Sequence, residues 1–130
     1  MKKTVRVVAA VIKNEEGKVL ITQRRPGAFM PLRWEFPGGK VEVGETDTEA
    51  LKRELREELA IEVAVNDSFM SLVYSYPDFD IDFHVYSCQI TSGTLKKQGV
   101  NDFRWVAIGE LENFSFPPAD EPTVRKLLNH

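Results

Sequence analysis

Several features that would point to whole classes of protein are missing from this sequence of 130 residues. It has a single cysteine, Cys88, so no intrachain disulfide can form, and a cytoplasmic location is expected. No apolar run reaches the length of a transmembrane helix. The basic and apolar start of the chain lacks a cleavage site and continues as strand-like sequence. We therefore expect no membrane partner.

An excess of basic residues is also missing. The 17 Lys and Arg residues against 20 Asp and Glu leave a net charge of −3, which disfavours a nucleic-acid polymer or an anionic membrane as partner. Repeats, linkers and low-complexity tracts are absent from the sequence as well. Its 42% apolar and 28% charged residues are typical of one folded domain, expected to span residues 1–130 as a monomer or a homodimer.

The most informative stretch that is present runs from Gly38 to Ile61, where a glycine loop precedes a helical pattern. Thr46 is expected to cap the N-terminus of this helix, with Glu49 as its capping-box partner. A stripe of leucines at helical spacing predicts the face that packs on the core. These residues are Leu51, Leu55 and Leu59.

Three carboxylates, Glu54, Glu57 and Glu58, occupy one arc of the same helix beside the leucine stripe. Like charges at this spacing destabilise a helix, so a function has to be considered. Oxygen ligands in a cluster suit a hard cation such as Mg²⁺ or Mn²⁺, which often shares its ligand shell with substrate phosphates. The alternative is a solvated acidic helix with Arg53 and Arg56 as counter-charges.

The wider spacing resembles the Nudix box, G-x5-E-x7-R-E-U-x-E-E-x-G-U, in which U is a bulky aliphatic residue. Gly39, Glu45 and the stretch 53–61 match its specified positions, except that Ala60 stands where the family usually has glycine. That glycine normally ends the helix, so the C-terminal cap is an open question. The resemblance implies a metal-dependent hydrolase that cleaves a diphosphate linkage attached to a nucleoside.

The order of elements agrees with the fold that this resemblance implies. Strand-like segments outnumber helices, and the helices occur singly between blocks of strands, which favours an α+β sandwich with a mixed sheet. The Nudix fold is an αβα sandwich of this kind. The segments expected as strands are 4–12, 18–23, 62–76 with a break near 66–67, 81–90 and 103–107. A helical turn is expected near 109–113, and a last helix from Ala119 or Asp120 to Leu128.

Roles for the box residues also come from the resemblance. Glu54, Glu57 and Glu58 would hold the metal together with the carbonyl of Gly38, and Glu54 would accept a proton from water. The pair Glu45 and Arg53 is interpreted as a brace between the loop and the helix. The lone Lys40 is expected either to touch a phosphate or to be solvated.

Two further segments, WEFPGGK at 34–40 and FPPADEP at 116–122, are similar to the MutT-like branch of bacterial Nudix enzymes. That branch hydrolyses nucleoside triphosphates to the monophosphate and pyrophosphate. The resemblance therefore implies 8-oxo-dGTP as substrate in nucleotide-pool cleaning, with CTP, dCTP or damaged pyrimidine nucleotides as the alternative. Two rivals are a Nudix enzyme for ADP-ribose or a dinucleotide, and a binding module that has lost activity.

Four positions outside the box align with substrate-binding positions of that branch, two with the same kind of residue and two with a different one. Arg24 corresponds to an arginine near the sugar and phosphates, and Phe36 to an aromatic residue against the base. Phe79 stands where the branch has an arginine over the base, and Asp120 where it has an asparagine that contacts the base edge. Both phenylalanines could instead be core residues, and Asp120 could be only a helix cap.

Two details of this comparison remain open in the sequence. The loop carboxylate that the branch places near the metals falls on Gly99, and Gln98 and Asp102 are the nearest polar replacements. An ionised Asp120 only accepts hydrogen bonds, so it suits the two adjacent donors of guanine. Cytosine would set its N3 acceptor against this carboxylate, unless the acid were protonated.

Overall fold

A computed structural model of the protein describes residues 2–129. The strands are β1 (Lys3–Ile12), β2 (Val19–Gln23), β3 (Trp34–Glu35), β4 (Gly38–Lys40), β5 (Ile61–Ser75), β6 (Phe79–Gly93) and β7 (Asp102–Val106). The helices are α1 (Asp47–Leu59) and α2 (Glu121–Leu128), with 3₁₀ turns at Ile108–Asn113 and Pro118–Asp120. The last helix thus begins one residue later than expected, after a separate 3₁₀ turn.

The strands form two sheets. A four-stranded sheet has the order β4-β1-β6-β5, in which β1 and β6 are parallel and the other pairs antiparallel. An antiparallel sheet of three strands has the order β3-β2-β7. The expected α+β sandwich with a mixed sheet is therefore confirmed.

Alternation along β1 builds a core on each of its faces. Val8, Ala10 and Ile12 pack with the leucine stripe of α1, whereas Ala9 and Val11 pack into a second core. Successive side chains of a strand point to opposite faces, so an unbroken apolar run is what a strand buried on both sides requires. The second core contains Val124 and Leu127 of α2, which places the two helices on opposite sides of β1.

Helix α1 begins as the sequence predicts. The side chain of Thr46 accepts from the amide of Glu49 at 3.1 Å, and the carboxylate of Glu49 accepts from the amide of Thr46 at 2.9 Å. Arg6 of β1 donates to both oxygens of Asp47 at 2.8 Å. Because Asp47 is the first helical residue, this fork ties the start of α1 to the sheet.

The C-terminus of α1 resolves the question raised by Ala60. This residue has φ 59° and ψ 36°, a left-handed conformation, so the alanine adopts the backbone that a glycine would adopt more easily. The loop 94–101 then covers the end of the helix. Amides of Lys96, Gln98 and Gly99 donate to the carbonyls of Leu59 and Glu58 at 2.9 to 3.1 Å.

The hairpin between β5 and β6 is tighter than expected. The strands expected over 62–76 and 81–90 leave residues 77–80 between them, but the amide of Tyr76 donates to the carbonyl of Phe79 at 2.8 Å, and Asp80 already pairs with Ser75. Phe79 therefore starts a strand. The expected break near residues 66–67 is a register shift between Val65 and Ser68 within a continuous strand. No helix within residues 2–129 is long and apolar enough to cross a membrane.

Candidate active site

A cavity of about 710 Å³ opens beside β1 and the ends of β3 and β4. Its wall is polar where β4 approaches α1 and aromatic where the β5–β6 hairpin and the segment before α2 meet. The residues predicted for the site that line it are Arg24, Phe36, Gly38, Lys40, Glu58, Phe79 and Asp120.

Glu58 forms the acidic end of this cavity. Its Oε1 atom is buried and has no hydrogen-bond donor among the described residues. Burial raises the pKa of Glu58 well above its usual value, and the neighbouring carboxyls of Glu54 and Glu35 raise it further, while the amide of Gly38 donates to the carboxylate and opposes this. A buried acid with an unpaired oxygen destabilises the folded protein. We therefore expect a binding partner for this oxygen.

The glycine pair allows the loop to lie between β1 and α1. A Cβ at Gly38 would sit 2.0 Å from the carbonyl oxygen of Val8, and one at Gly39 would sit 2.4 Å from the carboxyl carbon of Glu54. At Gly38 the backbone of β1 leaves no room for a side chain, and at Gly39 a side chain would displace the carboxyl of Glu54. The close approach of the two glycines is what brings the β4 backbone next to the carboxylates of α1.

Arg53 connects the loop to the helix, as the sequence predicts. It donates to both oxygens of Glu45 at 2.8 and 2.9 Å, to the carbonyl of Lys40 at 3.0 Å and to Glu54 at 3.1 Å. Hydrogen bonds from Arg53 hold the pKa of Glu45 below its usual value. Its contact with Glu57 is looser, at 3.4 Å, and the Glu57 side chain is 59% exposed.

Aromatic rings form another part of the cavity wall. Phe36 is buried and stacks on Phe116 with ring centres 5.5 Å apart. Phe79 is half-buried and its ring lies 5.3 Å from that of Tyr76 and 5.5 Å from that of Phe29. Both phenylalanines thus pack in the protein and also line the cavity, so the two interpretations given for them are compatible.

The side of the cavity carries an ion pair. Arg24 donates from Nε to Glu35 at 2.9 Å and from Nη1 to the carbonyl of Phe29 at 2.6 Å. Burial raises the pKa of Glu35 above its usual value although Arg24 favours the charged form. The pair fixes the guanidinium at the cavity wall.

Known proteins share this arrangement of sequence and fold. The family model described as the NUDIX domain matches residues 8–126. An 8-oxo-dGTP diphosphatase of Haemophilus influenzae is 40% identical over 98% of this chain and 94% of its own length. A CTP pyrophosphohydrolase of Escherichia coli K12 is 35% identical over 97% of this chain and 93% of its own. This chain belongs to the NUDIX domain family.

A solved structure supports the family at the level of fold. The solution structure of the MutT protein from methicillin-resistant Staphylococcus aureus 252, described as a Nudix hydrolase, is 36% identical. It covers 99% of this chain and 98% of its own, with a TM-score of 0.76. The chain is therefore a Nudix hydrolase in sequence and in fold, as the sequence predicts.

Nudix hydrolases generally need divalent metal ions, and the acidic end of the cavity fits one. The buried and unpaired Oε1 of Glu58 lies beside the carboxyl of Glu54 and the backbone of Gly38, an all-oxygen set that suits a hard cation. Within residues 2–129, however, no three acidic, His or Cys side chains already converge as a ligand set. Glu57 extends instead towards solvent and Arg53.

Neither polar replacement suggested for the loop carboxylate reaches the cavity. The side-chain amide of Gln98 donates to the backbone carbonyls of Arg56 and Glu57 at 2.9 and 3.1 Å, so this side chain caps α1. Asp102 pairs with Lys97 at 3.1 Å. A Cβ at Gly99 would meet the backbone of α1 at 3.0 Å, so this loop contributes backbone rather than a carboxylate.

Among the residues of the cavity wall that sequence reasoning missed are Glu35 and Phe29. Glu35 had a detectable signal, because it is an acid between the large apolar residues Trp34 and Phe36 in a segment that feeds the glycine loop. Phe29 lies in a loop without a periodic pattern, so only the fold places it. Trp34 is buried, and its ring packs edge-on against Phe114.

Proposed function

We propose that this Nudix hydrolase cleaves nucleoside triphosphates to the monophosphate and pyrophosphate, with Mg²⁺ as the metal and Mn²⁺ as the other candidate. The observation that carries the proposal is one cavity whose wall includes the carboxyl of Glu58 and also the aromatic residues with Asp120. A triphosphate and a base need different environments, and the wall of this cavity offers both.

At the acidic end, the metal would be held by Glu54, Glu57 and Glu58 with the carbonyl of Gly38. A bound divalent ion supplies charge neutralisation of the phosphates and a lower pKa for its water. Glu54 is the proposed acceptor of the proton from water, because it is less exposed than Glu57 and lies against Gly39. Glu57 is proposed to turn from Arg53 to complete the set.

Arg53 and Glu45 would then have a positioning role. Their fork holds the loop after β4 against α1, and the same guanidinium reaches Glu54 at 3.1 Å. A carboxylate held in a fixed position already has its lone pairs oriented, so the reaction includes no free-energy cost of reorganising it.

Along the cavity, Arg24 and Lys40 are the proposed phosphate contacts. Arg24 is held in place by Glu35 and the Phe29 carbonyl, whereas Lys40 is exposed at the rim. Phe36 and Phe79 would pack against the base, and Asp120 would contact the base edge. Such a small number of polar groups in an apolar wall is typical of a site that orients one ligand.

The names of the relatives support two substrates. The proteins of Haemophilus influenzae and Escherichia coli described above are named for 8-oxo-dGTP and for CTP. We propose 8-oxo-dGTP as the main substrate, in cytoplasmic nucleotide-pool cleaning, and CTP or dCTP as the alternative. An inactive regulatory module, the rival of a different class, is disfavoured because the box carboxylates are all present.

A hydrolysis panel with product analysis tests this proposal. Purified protein with Mg²⁺ would be given 8-oxo-dGTP, dGTP, CTP, dCTP and ADP-ribose, and the products separated by anion-exchange chromatography. We expect monophosphate and pyrophosphate in equal amounts from at least one triphosphate. Release of orthophosphate and diphosphate, preference for ADP-ribose, or no turnover with Mg²⁺ or Mn²⁺ would overturn the proposal.

A further inference from the structure

The carboxyl of Asp120 lies in the cavity wall under unusual conditions. The residue is 4% exposed and ends the 3₁₀ turn before α2. Its backbone is right-handed helical and its side chain makes no cap hydrogen bond with α2, so the interpretation as a simple helix cap is wrong. Among residues 2–129 its carboxyl has no hydrogen-bond donor and no ion pair. It is a buried acid that lines the cavity.

The charged and titratable groups around it favour the uncharged form. Glu35 of β3 is an acid of the same sign. Arg24 is the facing cation, but its hydrogen bonds go to Glu35 and to the carbonyl of Phe29. The hydroxyl of Tyr76 accepts from the amide of Ala119 at 3.4 Å.

An ionised carboxylate away from bulk water needs donors or a paired cation, and among residues 2–129 this one has no donor and forms no ion pair. Burial and then Glu35 raise the pKa of Asp120 well above its usual range, against the opposing effect of Arg24. The geometry and the electrostatics therefore agree on a protonated side chain.

We propose that Asp120 contacts the nucleobase as a neutral carboxylic acid, with one oxygen donating a hydrogen bond and the other accepting one. This inference rests on the proposed function. A protonated acid offers one donor beside one acceptor, which is the pattern of a side-chain amide.

The consequence concerns the choice of base. Cytosine presents its N3 acceptor next to the 4-amino donor, and guanine-type bases present O6 next to N1–H, so the neutral acid pairs with either. The objection to cytosine, based on an ionised Asp120, no longer holds. The site is therefore expected to accept both guanine-type and cytidine nucleotides, and the preference between them falls to the aromatic wall formed by Phe36, Phe79 and Tyr76.

Binding of reaction products by calorimetry tests the proposal without metal or turnover. CMP and 8-oxo-dGMP would be titrated into wild type, Asp120→Asn and Asp120→Ala between pH 5.5 and 9. Because asparagine keeps one donor and one acceptor, we expect Asp120→Asn to bind both nucleotides within about threefold of wild type at low pH, and Asp120→Ala to bind about tenfold more weakly or worse.

The pH dependence separates the two forms of the acid. Wild-type affinity should fall by up to about tenfold per pH unit above the folded pKa of Asp120, because the ionised acid must take up a proton to bind. The affinity of Asp120→Asn should lack this fall. Flat wild-type binding together with an Asp120→Asn variant as weak as Asp120→Ala would overturn the neutral acid. Equal binding by all three proteins would show that Asp120 does not touch the base.

Stability provides a second readout that needs no nucleotide. A carboxyl whose folded pKa is raised binds more protons in the folded state, so its contribution to the free energy of unfolding falls as pH rises from the usual aspartate pKa to the folded one. Wild type should therefore lose stability relative to Asp120→Asn over that range. Parallel pH profiles would overturn the inference, whereas absence of nucleotide hydrolysis by wild type would count against the proposed function instead.

Discussion

Replacement of Ala60 by glycine should stabilise the protein, because Ala60 holds a left-handed backbone with φ 59° and ψ 36°. A residue with a Cβ pays about 1–2 kcal/mol for this conformation. Glycine avoids that cost, but it gives the unfolded chain more freedom, which offsets about 0.4–1 kcal/mol. The difference predicts a gain of about 0.5–1 kcal/mol in the free energy of unfolding.

The gain can be measured by urea denaturation. With an unchanged slope, the midpoint should rise by about 0.3–0.5 M, and the melting temperature by about 2–4 °C. Ala50→Gly is the matched control, because it removes the same methyl group from a buried helical position near the start of α1. It should lose about 1 kcal/mol or more.

Two outcomes would contradict this reasoning about Ala60. A loss of more than about 1 kcal/mol in Ala60→Gly would show that position 60 is ordinary right-handed helix. A changed denaturation slope would show that the substitution acts on the compactness of one state rather than on the cap.

Four other results are expected. Thr22→Val should raise the free energy of unfolding by about 1 kcal/mol, because the Thr22 hydroxyl is buried with no partner among the described residues; a loss on urea denaturation would reveal a hidden partner. Glu58→Gln should raise the free energy of unfolding by about 1–2 kcal/mol in metal-free buffer while losing activity. A lower free energy of unfolding would contradict the inference that Oε1 of Glu58 is unpaired. Arg53→Lys should lower kcat about tenfold, because lysine cannot form the fork to Glu45; unchanged kcat would remove the positioning role. Cys88 should resist thiol reagents at pH 8 until the protein unfolds, because burial raises its pKa to about 12; rapid labelling of folded protein would refute this.

The parts of the site that are local in sequence could be predicted from it. The capping box of α1, its leucine stripe and the position of its carboxylates depend on contacts within one or two helical turns. The fork from Arg53 to Glu45 is also set by a fixed spacing along the chain. For these features a linear pattern already contains the geometry.

The parts that join distant segments could not be predicted in the same way. Gln98 is a polar residue that could have replaced the loop carboxylate near the metal. Instead it caps α1, because the loop 94–101 packs on the end of the helix. The burial of Asp120, which raises its pKa, follows from the cavity wall that β3 and the segment before α2 build together. Neither result has a local signal in the sequence.

The most direct test of the account is the turnover of Glu57→Gln with saturating Mg²⁺ and the best nucleoside triphosphate of the panel. Glu57 is 59% exposed and only loosely bound to Arg53, so a purely solvated role predicts little change. If Glu57 is a metal ligand, Glu57→Gln should lower kcat by at least about 10²-fold and leave folding intact. Glu62→Gln, an exposed acid paired with Arg56 outside the cavity, should keep wild-type kcat. Near wild-type turnover by Glu57→Gln would contradict the assignment of the α1 carboxylates to the metal.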